Sequence, residues 1–206
     1  MTSQTWILFC LTETVLCLIP GPAVLYVLGT AVRRGFATGL KAAAGILAGN
    51  TFYFGLSATG IAAIIVASHW VFNLLKWTGA GYLVWLGLRL LLSRAAASDA
   101  APAPPSPATQ RSLVRGFLVQ AANPKALVFF VALLPQFINP AASVPWQILI
   151  LGVSSVAIEF VVLTGYVALA ARARRLTGAR FAHSMERIGG AFLIAAGARL
   201  AWSRVL

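Results

Sequence analysis

Charge is what this sequence has least of. Only 10% of its 206 residues are charged, and four are acidic. Soluble globular domains carry about a quarter charged residues, so an ordinary soluble domain is excluded. Cysteine is scarce too. Cys10 and Cys17 would lie ~10 Å apart along one helix, too far for a disulfide. No extracellular disulfide framework is available. The two histidines, His69 and His183, fall near the ends of apolar segments, where solvation accounts for them. No Cys/His cluster has the spacing of a metal site. No G-x-x-x-x-G-K-[ST] loop for ATP is present. Neither a cofactor, a metal nor an enzymatic function is expected.

What the chain does have is apolar sequence. It is 60% hydrophobic, with a mean hydropathy of +0.87. Its net charge of +12 fits nucleic acid in the abstract. A chain this apolar instead carries its cations on the cytoplasmic loops of a membrane protein, and no nucleic-acid partner is expected. The N-terminus does not read as a signal peptide. It lacks a basic leading region, and its apolar stretch carries Glu13 and continues past Pro20.

A spanning helix takes ~20 residues, so the length permits six. Apolar segments lie near 5–30, 41–67, 70–92, 113–138, 146–171 and 187–204. The segments between them alternate in charge. Arg33, Arg34 and Lys41 mark the first, and the second, around Ser68-His69, has no cation. Arg94 and Arg111, flanked by Arg89 and Arg115, mark the third, and the fourth, 139–145, has none. Arg172, Arg174, Arg175, Arg180 and Arg187 mark the fifth. Twelve of the 16 cations thus sit on alternate connections. The positive-inside rule makes those cytoplasmic and turns both termini outward. Lys76 then lies near the outer interface.

The third connection contains AAASDAAPAPPSPATQ at 95–110. Its Ala/Pro composition cannot bury a core and specifies an extended linker. Residues 95–112 thereby separate a first half, 1–94, from a second, 113–206. GAGYLVWLGLRLLLSR (79–94) and GGAFLIAAGARLAWSR (189–204) are identical at seven of sixteen positions. A three-span repeat is inverted in the membrane, because an odd number of crossings reverses direction. Inverted repeats are common in secondary transporters. Inheritance from an oppositely oriented half also accounts for Arg199 and Arg204. The expected fold is an all-α integral membrane protein with six transmembrane helices as two inverted three-helix repeats.

Two spans are interrupted near their middles, by Pro20-Gly21-Pro22 and by Asn123-Pro124-Lys125. Proline removes a backbone donor and crowds the preceding turn. Broken backbone at membrane depth is tolerated only inside protein or against a wet cavity. Paired breaks point to a transport site; the alternative is a pair of kinks that only shape packing. Lys125 falls near mid-membrane, at the start of a new half-helix. Ammonium and free N–H groups together suit a carboxylate. The alternative is a permanent pairing with a buried acid. Glu159 also lies near mid-depth, and Glu13 lies in the outer half of the first span. Such carboxyls serve proton relays, or else bind helices together. Asn50 and Tyr82 could bond a polar substrate, or act as interhelical glue. Gly45 and Gly49 form a GxxxG pair, which suits close packing or a homodimer contact.

Four stretches carry a resemblance: LIPGPAVLYV (18–27), RGFATGLKAAAGILAGN (34–50), GYLVWLGLRLL (81–91) and GFLVQAANPKALVFFVALLPQFINP (116–140). In these the sequence resembles the LysE/RhtB family of bacterial amino-acid exporters over nearly its whole length. The resemblance implies a small inner-membrane carrier for amino acids or close derivatives, driven by the proton-motive force without ATP. It carries over Pro20, Gly21, Pro22, Asn123, Pro124 and Lys125 as substrate-site positions. The chain departs from the family pattern at Ala23, where members often have Asp or Asn. The implied partners are an amino-acid-like substrate, protons and membrane lipid.

Three other classes compete. A thiol-redox carrier needs cysteines on opposing helices, and both of these share one span. A metal-ion exporter needs a buried cluster of acids or histidines. A purely structural role leaves Lys125 and Glu159 at mid-membrane unexplained.

Overall fold

The computed structural model describes residues 1–59, 69–92 and 108–202. These are all-helical, with no strand among them. The α-helices are α1 (Ser3–Leu18), α2 (Pro22–Arg34), α3 (Phe36–Ala58), α4 (His69–Leu91), α5 (Ala108–Ala121), α6 (Pro124–Val128) and α7 (Val144–Trp202). A π-helical turn, Phe129–Leu133, and a 3-10 turn, Leu134–Phe137, follow α6. Most of the 95–112 linker, and Arg94 and Arg204 at the ends of the repeat, lie outside the described residues.

The chemistry of proline sets both expected breaks. Thr2 caps α1, accepting from the Thr5 amide at 3.2 Å. Ile19 ends the helix in an extended conformation, as the residue before a proline prefers. Gly21 then caps α2 without a side-chain bond, and Pro22 occupies its first turn, where the missing N–H costs nothing. The two helices meet at 52°, and together they are long and apolar enough to cross a membrane. Asn123 is likewise extended before Pro124. Arg33 and Arg34 close α2, where cations complement the carbonyl end of the helix. Gly35 turns the chain into α3 at φ 85°, a region that favours glycine.

One expectation fails in the backbone. The Arg-rich fifth connection, 172–187, was expected as a loop between two spans. It is helical and continuous with both neighbours, so α7 runs 59 residues. Nothing in it stops a helix. The chain after Pro145 has no proline, and Ala, Arg, Leu and Met are good helix formers. The apolar part of α7, Val144–Ala173, suffices by itself to cross a membrane.

The helices pack around two apolar clusters. One gathers Val27, Ala31, Ile46, Leu83, Val119, Leu163 and Val167 from α2, α3, α4, α5 and α7. The other gathers Phe9, Phe54, Phe129, Phe130, Phe137, Ile148 and Leu151. Between them α3 and α5 cross at backbone contact. A Cβ on Gly45 would lie 2.0 Å from the Leu113 carbonyl, and one on Gly116 would lie 2.4 Å from the Ala42 carbonyl. A Cβ on Gly49 would meet Gln120 at 2.8 Å. The GxxxG pair is therefore used within the chain, against α5.

Candidate functional site

A layer of polar side chains separates the two apolar clusters, and its origin is a four-residue spacing. On α7 the row Leu151, Ser155, Glu159, Leu163 reads apolar, polar, polar, apolar. On α3 the row is Ile46, Asn50, Phe54, and on α1 Phe9 precedes Glu13. Side chains four apart stack on one helix face. The α7 and α3 rows therefore pass from one apolar cluster to the other through polar residues, and the α1 row leads from the Phe9 cluster to Glu13 among them. Glu159 stands at the middle of the Val144–Ala173 run. Ser155 is fully enclosed, and Glu13, Asn50, Gln120, Asn123 and Glu159 are all buried.

These six side chains form one hydrogen-bonded chain that begins at the second break. The Lys125 amide donates to Asn123 Oδ1 at 3.1 Å, and Asn123 Nδ2 donates to Gln120 Oε1 at 3.1 Å. Gln120 Nε2 donates to Asn50 Oδ1 at 3.4 Å. Asn50 Nδ2 then donates to both Glu159 Oε2, at 2.9 Å, and Ser155 Oγ, at 3.2 Å. The Ser155 hydroxyl donates to Glu13 Oε1 at 2.5 Å. Cys17 also reaches Glu13 Oε1, at 3.7 Å. Every amide in the chain points its donor toward the two carboxyls. In a low-dielectric interior such aligned bonds polarise one another.

The two breaks face each other. A Cβ on Gly21 would touch Lys125 Cδ at 3.7 Å. Helix ends leave carbonyls without intrahelical partners, and these would be costly inside a membrane. Side chains from other helices meet them here. Lys125 Nζ donates to the Leu16 carbonyl and, at 3.0 Å, to that of Ile19. The Tyr166 hydroxyl donates to Leu18 O at 2.9 Å, and the Tyr53 hydroxyl to Ala121 O at 2.6 Å. The ammonium of Lys125 is thus held by main-chain oxygens and not by a carboxylate. Glu13 and Glu159 remain within its electrostatic reach.

Of the residues expected from sequence, Glu13, Asn50, Asn123, Lys125 and Glu159 come together, and the backbone of Pro20, Gly21, Pro22 and Pro124 shapes the breaks beside them. Tyr82 does not join them. It packs against the cluster around Val27 and Leu163, with its ring tilted by 32° to that of Trp85 at 5.9 Å. Ala23 is buried in the same cluster, among apolar side chains. Sequence reading missed Gln120 and Ser155, and also Tyr53 and Tyr166. The available signals were spacings: Gln120 precedes Asn123 by one turn, and Ser155 precedes Glu159 by one turn. Among the described residues no group of three or more His, Cys, Asp or Glu could hold a metal ion.

The family model described as LysE type translocator matches residues 14–204. A homoserine/homoserine lactone efflux protein of Salmonella typhimurium is 34% identical over 205 residues, covering 99% of each chain. A membrane protein of Vibrio cholerae is 34% identical over 99% of this chain and 100% of its own. A leucine efflux protein of an Enterobacter species is 35% identical over 61% of this chain and 60% of its own. No solved structure matches.

Proposed function

This chain belongs to the LysE family of translocators, and on that premise we propose that it exports amino acids or close derivatives across the bacterial inner membrane in exchange for protons. The observation that carries the reading is the buried Glu13–Ser155–Asn50–Glu159 chain beside two facing helix breaks. Ionisable groups at mid-membrane are costly, and they mark substrate and proton pathways. The names of the relatives, a homoserine/homoserine lactone efflux protein and a leucine efflux protein, support a substrate of this class. The architecture proposed is six spans in two inverted halves, with both termini periplasmic and the site alternately open to either side.

The chemistry follows from exchange of partners. Lys125 holds the Leu16 and Ile19 carbonyls. A substrate carboxylate draws the ammonium away, because it offers a full negative charge where a carbonyl offers only a dipole. The carbonyls so freed accept the substrate's own ammonium, and Glu159 lies within reach of the same group. Proton and substrate ammonium then compete for one carboxyl, which is the requirement for antiport. Ser155 and Asn50 hold Glu13 in the same polar level as Glu159.

The test is efflux from loaded cells, with a panel of amino acids, homoserine lactone and leucine, with and without a proton uncoupler. Uncoupler-sensitive efflux of one or more of these supports the reading. Efflux against a gradient that ignores the uncoupler removes proton coupling. Lys125→Ala should abolish export while the protein still reaches the membrane, and normal export by that variant would remove the site assignment.

A further inference from the structure

Beside the first turns of α1 lies a cavity of about 320 Å³, lined by Thr2, Gln4, Thr5, Leu8, Gln136 and Phe137. Four of these carry a hydroxyl or an amide and none carries a charge. The cavity does not touch the polar layer, and what separates them is aromatic. Phe137, which lines the cavity, meets Phe9 edge-on at 5.3 Å. Phe9 is fully enclosed and meets Phe129 at 6.2 Å. Phe129 meets Phe130 at 5.0 Å, and Phe54 closes the group against Phe130 at 4.8 Å. On α1 the order is Thr5, Phe9, Glu13, each one helical turn apart. The aromatic layer is therefore about one turn, ~6 Å, thick along this helix.

The backbone that carries the layer is irregular. Phe129 and Phe130 sit on the π-helical turn, and Phe137 ends the 3-10 turn that also contributes Gln136 to the cavity. π-helical and 3-10 turns within a helix often mark functional or strained segments. One segment thus lines the cavity and supplies most of the plug.

We propose that the cavity is a second station for the transported solute and that Phe9 and Phe129 are the gate between it and the polar layer. Its ligand is a small zwitterionic or hydroxylated solute, held by neutral hydroxyl and amide groups. Neutral groups bind such a solute less firmly than the charged layer does, which suits a site of release. The gate is closed in this structure. The inference rests on the transport reading above, and its test separates the two.

Cys17 lies one turn beyond Glu13 and serves as a native reporter of the polar layer. In a Cys10→Ser background, a membrane-impermeant trimethylammonium methanethiosulfonate is added from the side that carries the N-terminus. Cys17 should resist labelling. Phe9→Ala and, independently, Phe129→Ala should raise its labelling rate at least tenfold. In a Cys10→Ser, Cys17→Ser background, Thr5→Cys should label rapidly with the gate intact. This last arm does not depend on the folding of the gate variants. The proposal is overturned if Cys17 labels as fast with the gate intact as without it, if neither gate variant labels while present in the membrane, or if Thr5→Cys resists the reagent. Absence of amino-acid efflux with the expected labelling pattern would remove the substrate reading and support the gate. Uncoupler-sensitive efflux together with freely labelled Cys17 in the gated parent would do the reverse.

Discussion

Ser155 ties together two acids on different helices, because its hydroxyl donates to Glu13 while accepting from the amide that also binds Glu159. Removing that hydroxyl leaves Asn50 one acceptor short and Glu13 one donor short. Single hydrogen bonds between membrane helices are worth ~0.6 kcal/mol on average, so Ser155→Ala should fold. Its efflux should fall on the order of tenfold, equivalent to ~1.4 kcal/mol of barrier, and Ser155→Thr should restore it. Equal efflux by the Ala variant and the parent would make Ser155 packing alone. Glu159→Gln is the sharper change. The amide keeps the contact with Asn50 but cannot release a proton. Uncoupler-sensitive efflux should disappear at unchanged protein level, and retained sensitivity would move the coupling role to Glu13. At this scale the sequence announced its charged residues and hid its neutral ones. Lys125, Glu13 and Glu159 are conspicuous because charge is so costly in an apolar span. Gln120 and Ser155 are ordinary in such spans, and only the packing of four helices reveals what they bond.

Helices can be told apart by whether their small residues are needed. The α3–α5 crossing leaves no room for a side chain at Gly45 or Gly116, whose Cβ positions fall on partner carbonyls. Relief requires the helices to separate, and overpacking typically costs ~1–3 kcal/mol. Gly116→Ala should therefore lower the thermal midpoint of the detergent-solubilised protein, or its yield from the membrane. Gly55→Ala, on the same α3, meets nothing within 4 Å. Alanine is the better helix former by up to ~1 kcal/mol, so that variant should be neutral or more stable. If both substitutions behave alike, the crossing is not set by backbone contact. The breaks in α1–α2 and α5–α6 were legible because proline acts on its own peptide and its immediate neighbour. The continuity of α7 was not legible from charge. Arginines report where a segment sits relative to a membrane, while the backbone follows propensity and the absence of a breaker.

The whole molecule poses a question that the length of α7 makes concrete. Fifty-nine residues of helix span about 88 Å if straight, against a hydrocarbon core of ~30 Å. An unbent rod would carry the apolar stretch 187–202 clear of the bilayer that holds Val144–Ala173. Arg172, Arg174, Arg175, Arg180 and Arg187 oppose the other extreme, in which the rod slides inward, because each charge at the bilayer centre costs ~2.5–3.5 kcal/mol on insertion scales. The six-span arrangement proposed above requires a bend or break between Ala173 and Arg187 that returns 187–202 to the membrane, in a stretch where the helix is continuous. Gly178 has the weakest helix propensity in that interval and is the natural place for it. A dual reporter fused after Leu206 tests this: alkaline phosphatase should be active and a fluorescent protein dark, as for the same pair fused before Met1. A fluorescent C-terminus would mean that α7 crosses only once, which would end the six-span arrangement and the inverted repeat with it.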